Sequence, residues 1–131
     1  MTESVALVGA TGGAGTTRLA VETATLVAAD GGAEPEVAVL DAAYATQGLS
    51  DYLGGRLDPD VTALVTDRAD APLSAGLTDL DADVPGRVAC CPAVAPFERL
   101  ARAKTAEAAR RFEKRVAEAA DAFDAVVVDT P

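Results

Sequence analysis

Lysine is nearly missing from this chain of 131 residues: of its 11 basic side chains only Lys104 and Lys114 are lysine, and the rest are arginine. Basic charge as a whole is scarce, with 21 acidic side chains giving a formal net charge of -10. Such a surface repels phosphate backbones and anionic headgroups, so no nucleic-acid partner is expected. The N-terminus has no basic segment leading into a long apolar run, and no stretch approaches the ~18 uninterrupted apolar residues of a membrane span. A cytoplasmic location follows as the expectation. Cysteine is limited to the adjacent Cys90 and Cys91. In a strand such neighbours point to opposite faces and cannot close an ordinary disulfide, so they read as small buried apolar groups. No internal repeat and no low-complexity linker is found.

What is abundant is apolar, at 50% of the chain. That is enough to bury a modest core, and it separates this acidity from that of a disordered polymer. Residues 1–131 read as a single domain. The wealth of alanine and aspartate resembles the composition of proteins from salt-loving archaea, in which carboxylates hold a hydrated surface in brine.

Apolar runs alternate with helical segments. Ser4–Val8 predicts a first strand, which opens at Gly9 into the loop GATGGAGTT. An alanine-rich helix is predicted over Thr17–Asp30, stopped by Gly31, Gly32 and Pro35. Val37–Leu40 predicts a second strand ending at Asp41, Val88–Cys91 a third closed by Pro92, and Ala125–Val128 a fourth ending at Asp129. Between them, 51–86 reads as two short helices and loops, around Val61–Val65 and Leu73–Leu80. Pro96–Ala122 reads as one long helix with apolar residues at three- and four-residue steps. Strands that are apolar throughout and alternate with helices predict a three-layer α/β/α domain with a mainly parallel sheet of about four strands, order open.

Pro96–Ala120 holds seven bases against four acids, a local +3 that leaves -13 of the total -10 for the remainder. Glu98/Arg102, Glu107/Arg111 and Lys114/Glu118 at four-residue spacing read as an exposed, ion-paired helix face rather than a docking surface.

A glycine-rich turn between a strand and a helix aims backbone N–H groups and the helix dipole at one point, which attracts an anion, most simply a phosphate. The same loop is also compatible with a purely structural turn. Its residues resemble the deviant-Walker P-loop ATPases of the MinD/ParA group, which position cell-division sites, plasmids and other cargo. Where that family reads roughly G-K-G-G-x-G-K-T, this chain has Ala10, Thr11, Gly12, Gly13, Ala14, Gly15, Thr16 and Thr17. The family's D-x-D and the leucine and glycine that follow are matched in spacing by Asp41, Ala43, Leu49 and Gly54. Its next strand is matched by VACCPA and its Walker-B-like ending by FDAVVVDTP.

The resemblance implies ATP or ADP binding by the backbone of Gly12, Gly13, Ala14, Gly15, Thr16 and Thr17. It also implies Mg2+ held by the Thr17 hydroxyl and the carboxylates of Asp41 and Asp129. Both family lysines are replaced, by Thr11 and Thr16, and the second aspartate of D-x-D is Ala43. Charge on a phosphoryl group in transfer is what such catalysis stabilises, so the departures imply a degenerate, hydrolysis-deficient relative with no catalytic residue. Arg18, one residue into the helix, reads as solvent-facing. The resemblance implies a regulatory or positioning subunit, paired with itself or with a related ATPase. The chain stops two residues after Asp129, where the family continues, so it reads as a truncated member.

One other resemblance competes for the same loop. Gly9, Gly12 and Gly15 form G-x-x-G-x-x-G, which looks like the NAD(P) loop of extended short-chain dehydrogenases, with Asp41 placed for a ribose hydroxyl. Against it, Tyr44 and Tyr52 are followed four residues later by Gly48 and Arg56, so no Tyr-x-x-x-Lys pair exists.

Overall fold

The computed structural model describes residues 3–7, 15–30 and 33–131, the first of these as backbone. The elements run β1 (Glu3–Leu7), α1 (Thr16–Ala28), β2 (Glu36–Asp41), α2 (Val61–Leu64), β3 (Thr78–Asp79), β4 (Arg87–Cys91), α3 (Phe97–Ala103), α4 (Ala106–Ala122) and β5 (Ala125–Asp129). Single turns of 3-10 helix occupy Gly48–Tyr52 and Leu73–Gly76.

The strands form one sheet in the order β1-β5-β2-β4-β3. β1, β5, β2 and β4 are parallel, as expected for a sheet of about four strands. The fifth, β3, lies antiparallel on the edge of β4. At two residues it is too short to leave a pattern in sequence. The βα unit that opens the chain does not bring β1 beside β2: β5 is inserted between them and pairs with both. This order differs from dinucleotide-binding Rossmann sheets, in which the first and second strands are neighbours.

Alternation along the buried strands divides the core into two layers. Val37, Val39, Val88, Cys90 and Val127 face α1, where Ala20, Val21, Ala24 and Ala28 pack on them. Ala38, Leu40, Ala89, Cys91, Val126 and Val128 face the other side, against Leu64 of α2 and Ala119 of α4. The small alanines let each helix approach the sheet closely. Cys90 and Cys91 fall on opposite faces, free and buried, as their adjacency predicts. Burial pushes both thiols up, that of Cys90 to about 12.

The long C-terminal helix is two helices. Thr105 caps α4, its hydroxyl accepting from the Ala108 N–H at 3.1 Å, and this breaks the run at Lys104. The ion-paired face expected along it is only partly present. Glu107 and Arg111 pair at 2.8 Å, but Arg102 pairs with Asp67 rather than Glu98. Glu118 is engaged by Arg115 at 2.9 Å rather than by Lys114. Arg115 is a buried brace: it donates to the Leu64 carbonyl at 2.9 Å and to those of Arg68 and Ala69. Glu118 in turn accepts from the Leu73 N–H at 2.7 Å, so α4 holds both ends of segment 64–73. No helix among the described residues is long and apolar enough to cross a membrane.

Candidate functional site

The C-terminal ends of β2 and β5 and the N-terminus of α1 meet at one point. α1 begins after Gly15, whose φ of +78° is a left-handed conformation. An added Cβ there would meet nothing within 4 Å, so the requirement for glycine is conformational rather than steric. Of the loop residues expected to cradle phosphate, Gly15, Thr16 and Thr17 are placed at this helix start. Gly12, Gly13 and Ala14 lie outside the described residues, as does Thr11.

Thr17 donates its hydroxyl to Asp129 Oδ2 at 2.5 Å. Asp129 is fully buried, and its Oδ1 has no hydrogen-bond partner among the described residues. Asp41 stands in register beside it on the neighbouring strand, also fully buried. Asp41 Oδ1 accepts from the Ala43 N–H at 2.8 Å and Oδ2 from the Ala93 N–H at 3.3 Å. Burial pushes the Asp41 carboxyl up to about 7; the Ala43 amide opposes this, and the charge of Asp129 adds to it. Burial likewise raises Asp129, opposed by the Thr17 hydroxyl. The three residues proposed from sequence as a magnesium set are therefore brought together.

This donor set suits a hard divalent cation. An unpaired buried carboxylate oxygen beside a second buried carboxylate is costly, and a cation removes both the missing partner and the repulsion. No three acidic, thiol or imidazole side chains converge among the described residues, so remaining ligands would come from water or phosphate oxygens, which is the habit of Mg2+.

Ala43 is buried and offers its backbone N–H to Asp41, with no carboxylate at that place. Arg18 is turned to solvent, 77% exposed and paired with Glu22 at 3.0 Å. Leu49 is buried against α1, whereas Gly54 has open space around it and no steric reason to be glycine.

Sequence reasoning missed three contributors. Gly48 lets the turn after β2 close on the site, since an added Cβ would lie 3.1 Å from Thr17 Oγ1. Gln47, just before it, donates to the Ala95 carbonyl at 3.0 Å. Asp60 is buried and holds the Val94 N–H at 2.7 Å. Asp60 carried a readable signal, an aspartate directly before the apolar run Val61–Val65, which is a helix N-cap pattern.

A glycine-started helix and two strand-end carboxylates at the C-terminal edge of a parallel sheet define a P-loop-like α/β domain. Solved structures place it more closely. The septum site-determining protein MinD of Pyrococcus horikoshii, complexed with Mg-ADP, superposes with a TM-score of 0.77 and 21% identity over 100% of this chain and 49% of its own. Cobyrinic acid a,c-diamide synthase from Mycobacterium smegmatis, with bound ATP analogue and magnesium, gives 0.76 and 20% over 98% and 49%. A ParA family ATPase from Chlorobium tepidum gives 0.75 and 20% over 98% and 51%. The likeness establishes the expected MinD/ParA fold, and the chain spans about half the length of the structures it matches. No protein-family model and no curated protein matches the sequence.

Proposed function

We propose that this chain is a nucleotide-binding module of the MinD/ParA type, which binds ATP or ADP with Mg2+, hydrolyses ATP poorly if at all, and serves as a regulatory or positioning subunit in the cytoplasm. The observation that carries this reading is the group Thr17–Asp129–Asp41 at the N-terminus of α1, its two carboxylates buried and one carboxylate oxygen unpaired among the described residues. In this reading backbone N–H groups from Gly12 to Thr17 hold the phosphates, helped by the helix dipole. The Thr17 hydroxyl and the two carboxylates hold Mg2+, which offsets phosphate charge. With threonine at 11 and 16 and alanine at 43, the chain supplies neither the loop cations nor a water-orienting carboxylate. Losing one such group typically costs about a hundredfold in rate.

Association with a second chain, a copy or a related ATPase, is part of the proposal. β1 lies at the end of the strand order, and a strand edge invites pairing. The outer side of α1 leaves Leu19 and Leu26 exposed.

The test is a thermal-shift titration in concentrated salt with ATP, ADP and NADH, each with and without Mg2+. The reading predicts a rise in Tm with ATP or ADP that depends on Mg2+, and none with NADH. A rise with NADH indifferent to Mg2+ would favour the dinucleotide reading, against which the insertion of β5 between β1 and β2 already stands. No shift with any nucleotide would leave a structural subunit.

A further inference from the structure

Residues 93–95, between β4 and α3, are gripped at three successive positions by side chains from three other segments. The Ala93 N–H donates to Asp41, the Val94 N–H to Asp60, and the Ala95 carbonyl accepts from Gln47. The grips are unequal. Asp41 reaches its amide at 3.3 Å, a long contact, whereas Asp60 reaches the next amide at 2.7 Å.

Asp60 is itself fully engaged. Its Oδ1 accepts from the Ala63 N–H at 3.0 Å and from Arg99 Nη2 at 3.2 Å, and its Oδ2 from the Thr62 hydroxyl at 2.7 Å as well as from Val94. Arg99, on α3, also donates through Nε to Thr62 Oγ1 at 3.1 Å. The Val61 N–H completes the tie by donating to the Pro92 carbonyl at 2.9 Å. The start of α2, residues 92–95 and α3 are thus fastened together around one buried carboxylate.

A rigid amide one residue from Val94 decides where Asp41 Oδ2 can sit. Asp41 then has one oxygen fixed by Ala43 and the other by Ala93, which aligns the carboxylate beside Asp129. We propose that Asp60, closed by Arg99, is a positioning residue for the carboxylate site: by fixing residues 93–95 it aims Asp41 and sets the affinity of the Thr17–Asp41–Asp129 group for a divalent cation. This rests on the cation-binding part of the proposed function. Outer partners that orient a metal ligand typically account for ten- to a hundredfold in affinity, the size of effect expected here.

The experiment titrates the intact chain with Mn2+ alone in concentrated salt, following free Mn2+ by electron paramagnetic resonance, with Tm recorded in chelator for each variant. Asp129→Ala identifies the site, as the Mn2+ that it removes. Asp60→Asn and Arg99→Gln are expected to weaken that Mn2+ about tenfold or more, with Arg99→Lys recovering part of the loss. Asp67→Asn, at the exposed ion pair between the turn after α2 and Arg102 of α3, is expected to change nothing. Asp60→Asn and Arg99→Gln chains that lose Tm but bind Mn2+ like the parent would make the cluster merely structural and overturn the proposal. If Asp60→Asn does not fold, Arg99→Gln decides alone, since it leaves three of the four donors to Asp60 in place. A parent chain with no Mn2+ sensitive to Asp129→Ala would instead overturn the cation site itself, and the positioning role with it.

Discussion

Asp41 and Asp129 end adjacent parallel strands in register, both fully buried, and of their four carboxylate oxygens Asp129 Oδ1 is left without a partner among the described residues. Two such groups repel when both are ionised, and among the described residues neither is paired with a cation. The fold tolerates this pair beside the N-terminus of α1, and that tolerance has measurable consequences.

Divalent cation should stabilise the chain. A site saturated at a hundred times its dissociation constant adds about 2.7 kcal/mol, roughly 10 °C in Tm for a domain of this size. Differential scanning calorimetry at fixed high ionic strength should show the rise with Mg2+, and Asp129→Ala should abolish it. An equal rise in that variant would mean diffuse binding to the acidic surface.

Stability should fall with rising pH in chelator. Asp41 titrates near 7 in the folded chain and near 4 when unfolded, so the folded state holds the extra proton between those values. The chain should therefore be most stable below about pH 4 with respect to this group, lose on the order of 2–4 kcal/mol as pH rises to 7, and level off above. Asp129, shifted the same way, adds to the slope. Urea unfolding of the parent and Asp41→Asn across this range checks it: the variant should show a flatter profile, and an unchanged slope would contradict the assignment.

Gly48→Ala should damage binding while sparing the fold. Its Cβ would press on Thr17 Oγ1, the hydroxyl of the cation set, and its three nearest neighbours would all be Thr17 atoms. An overpacking cost of about 1–3 kcal/mol at that contact corresponds to roughly tenfold or more in affinity for Mg-nucleotide. Fluorescent-nucleotide titration alongside circular dichroism separates the two effects.

Arg115→Met should do the reverse. Removing the guanidinium takes its hydrogen bonds from the buried Leu64 carbonyl, from the Arg68 and Ala69 carbonyls and from Glu118 Oε1, although the Ala71 N–H still serves Arg68 and the Leu73 N–H still serves Glu118. A loss of about 2–3 kcal/mol in unfolding free energy is expected, with Mg-nucleotide affinity within about twofold of the parent, because Leu64 and Leu73 pack on the face of the sheet opposite α1.

The parts legible in sequence were those carried by local patterns. Unbroken apolar runs located β2, β4 and β5, and the aspartates that end β2 and β5 stood out as charges at the close of apolar strands; both stand in register at the candidate site. Strand order was not legible, since the insertion of β5 between β1 and β2 depends on pairing across almost the whole chain. The break at Thr105 was hidden because alanine-rich helix continues on both sides and only one hydroxyl marks the cap. Asp60 stands among many aspartates in a loop-rich stretch, and its meaning lies in Val94 and Arg99, more than thirty positions away in sequence. Gly12, Gly13 and Ala14 stand on the sequence pattern alone.

The central claim is that Thr17, Asp41 and Asp129 make one cation-dependent phosphate site. Isothermal titration calorimetry of ADP into the chain, with Mg2+ and with chelator, for the parent and Thr17→Ala, tests it most directly. The account predicts one nucleotide per chain in Mg2+, at least tenfold weaker binding in chelator, and loss of the Mg2+ dependence in Thr17→Ala. Binding by the parent that ignores Mg2+, or a Thr17→Ala chain that binds Mg-ADP as tightly as the parent, would contradict it.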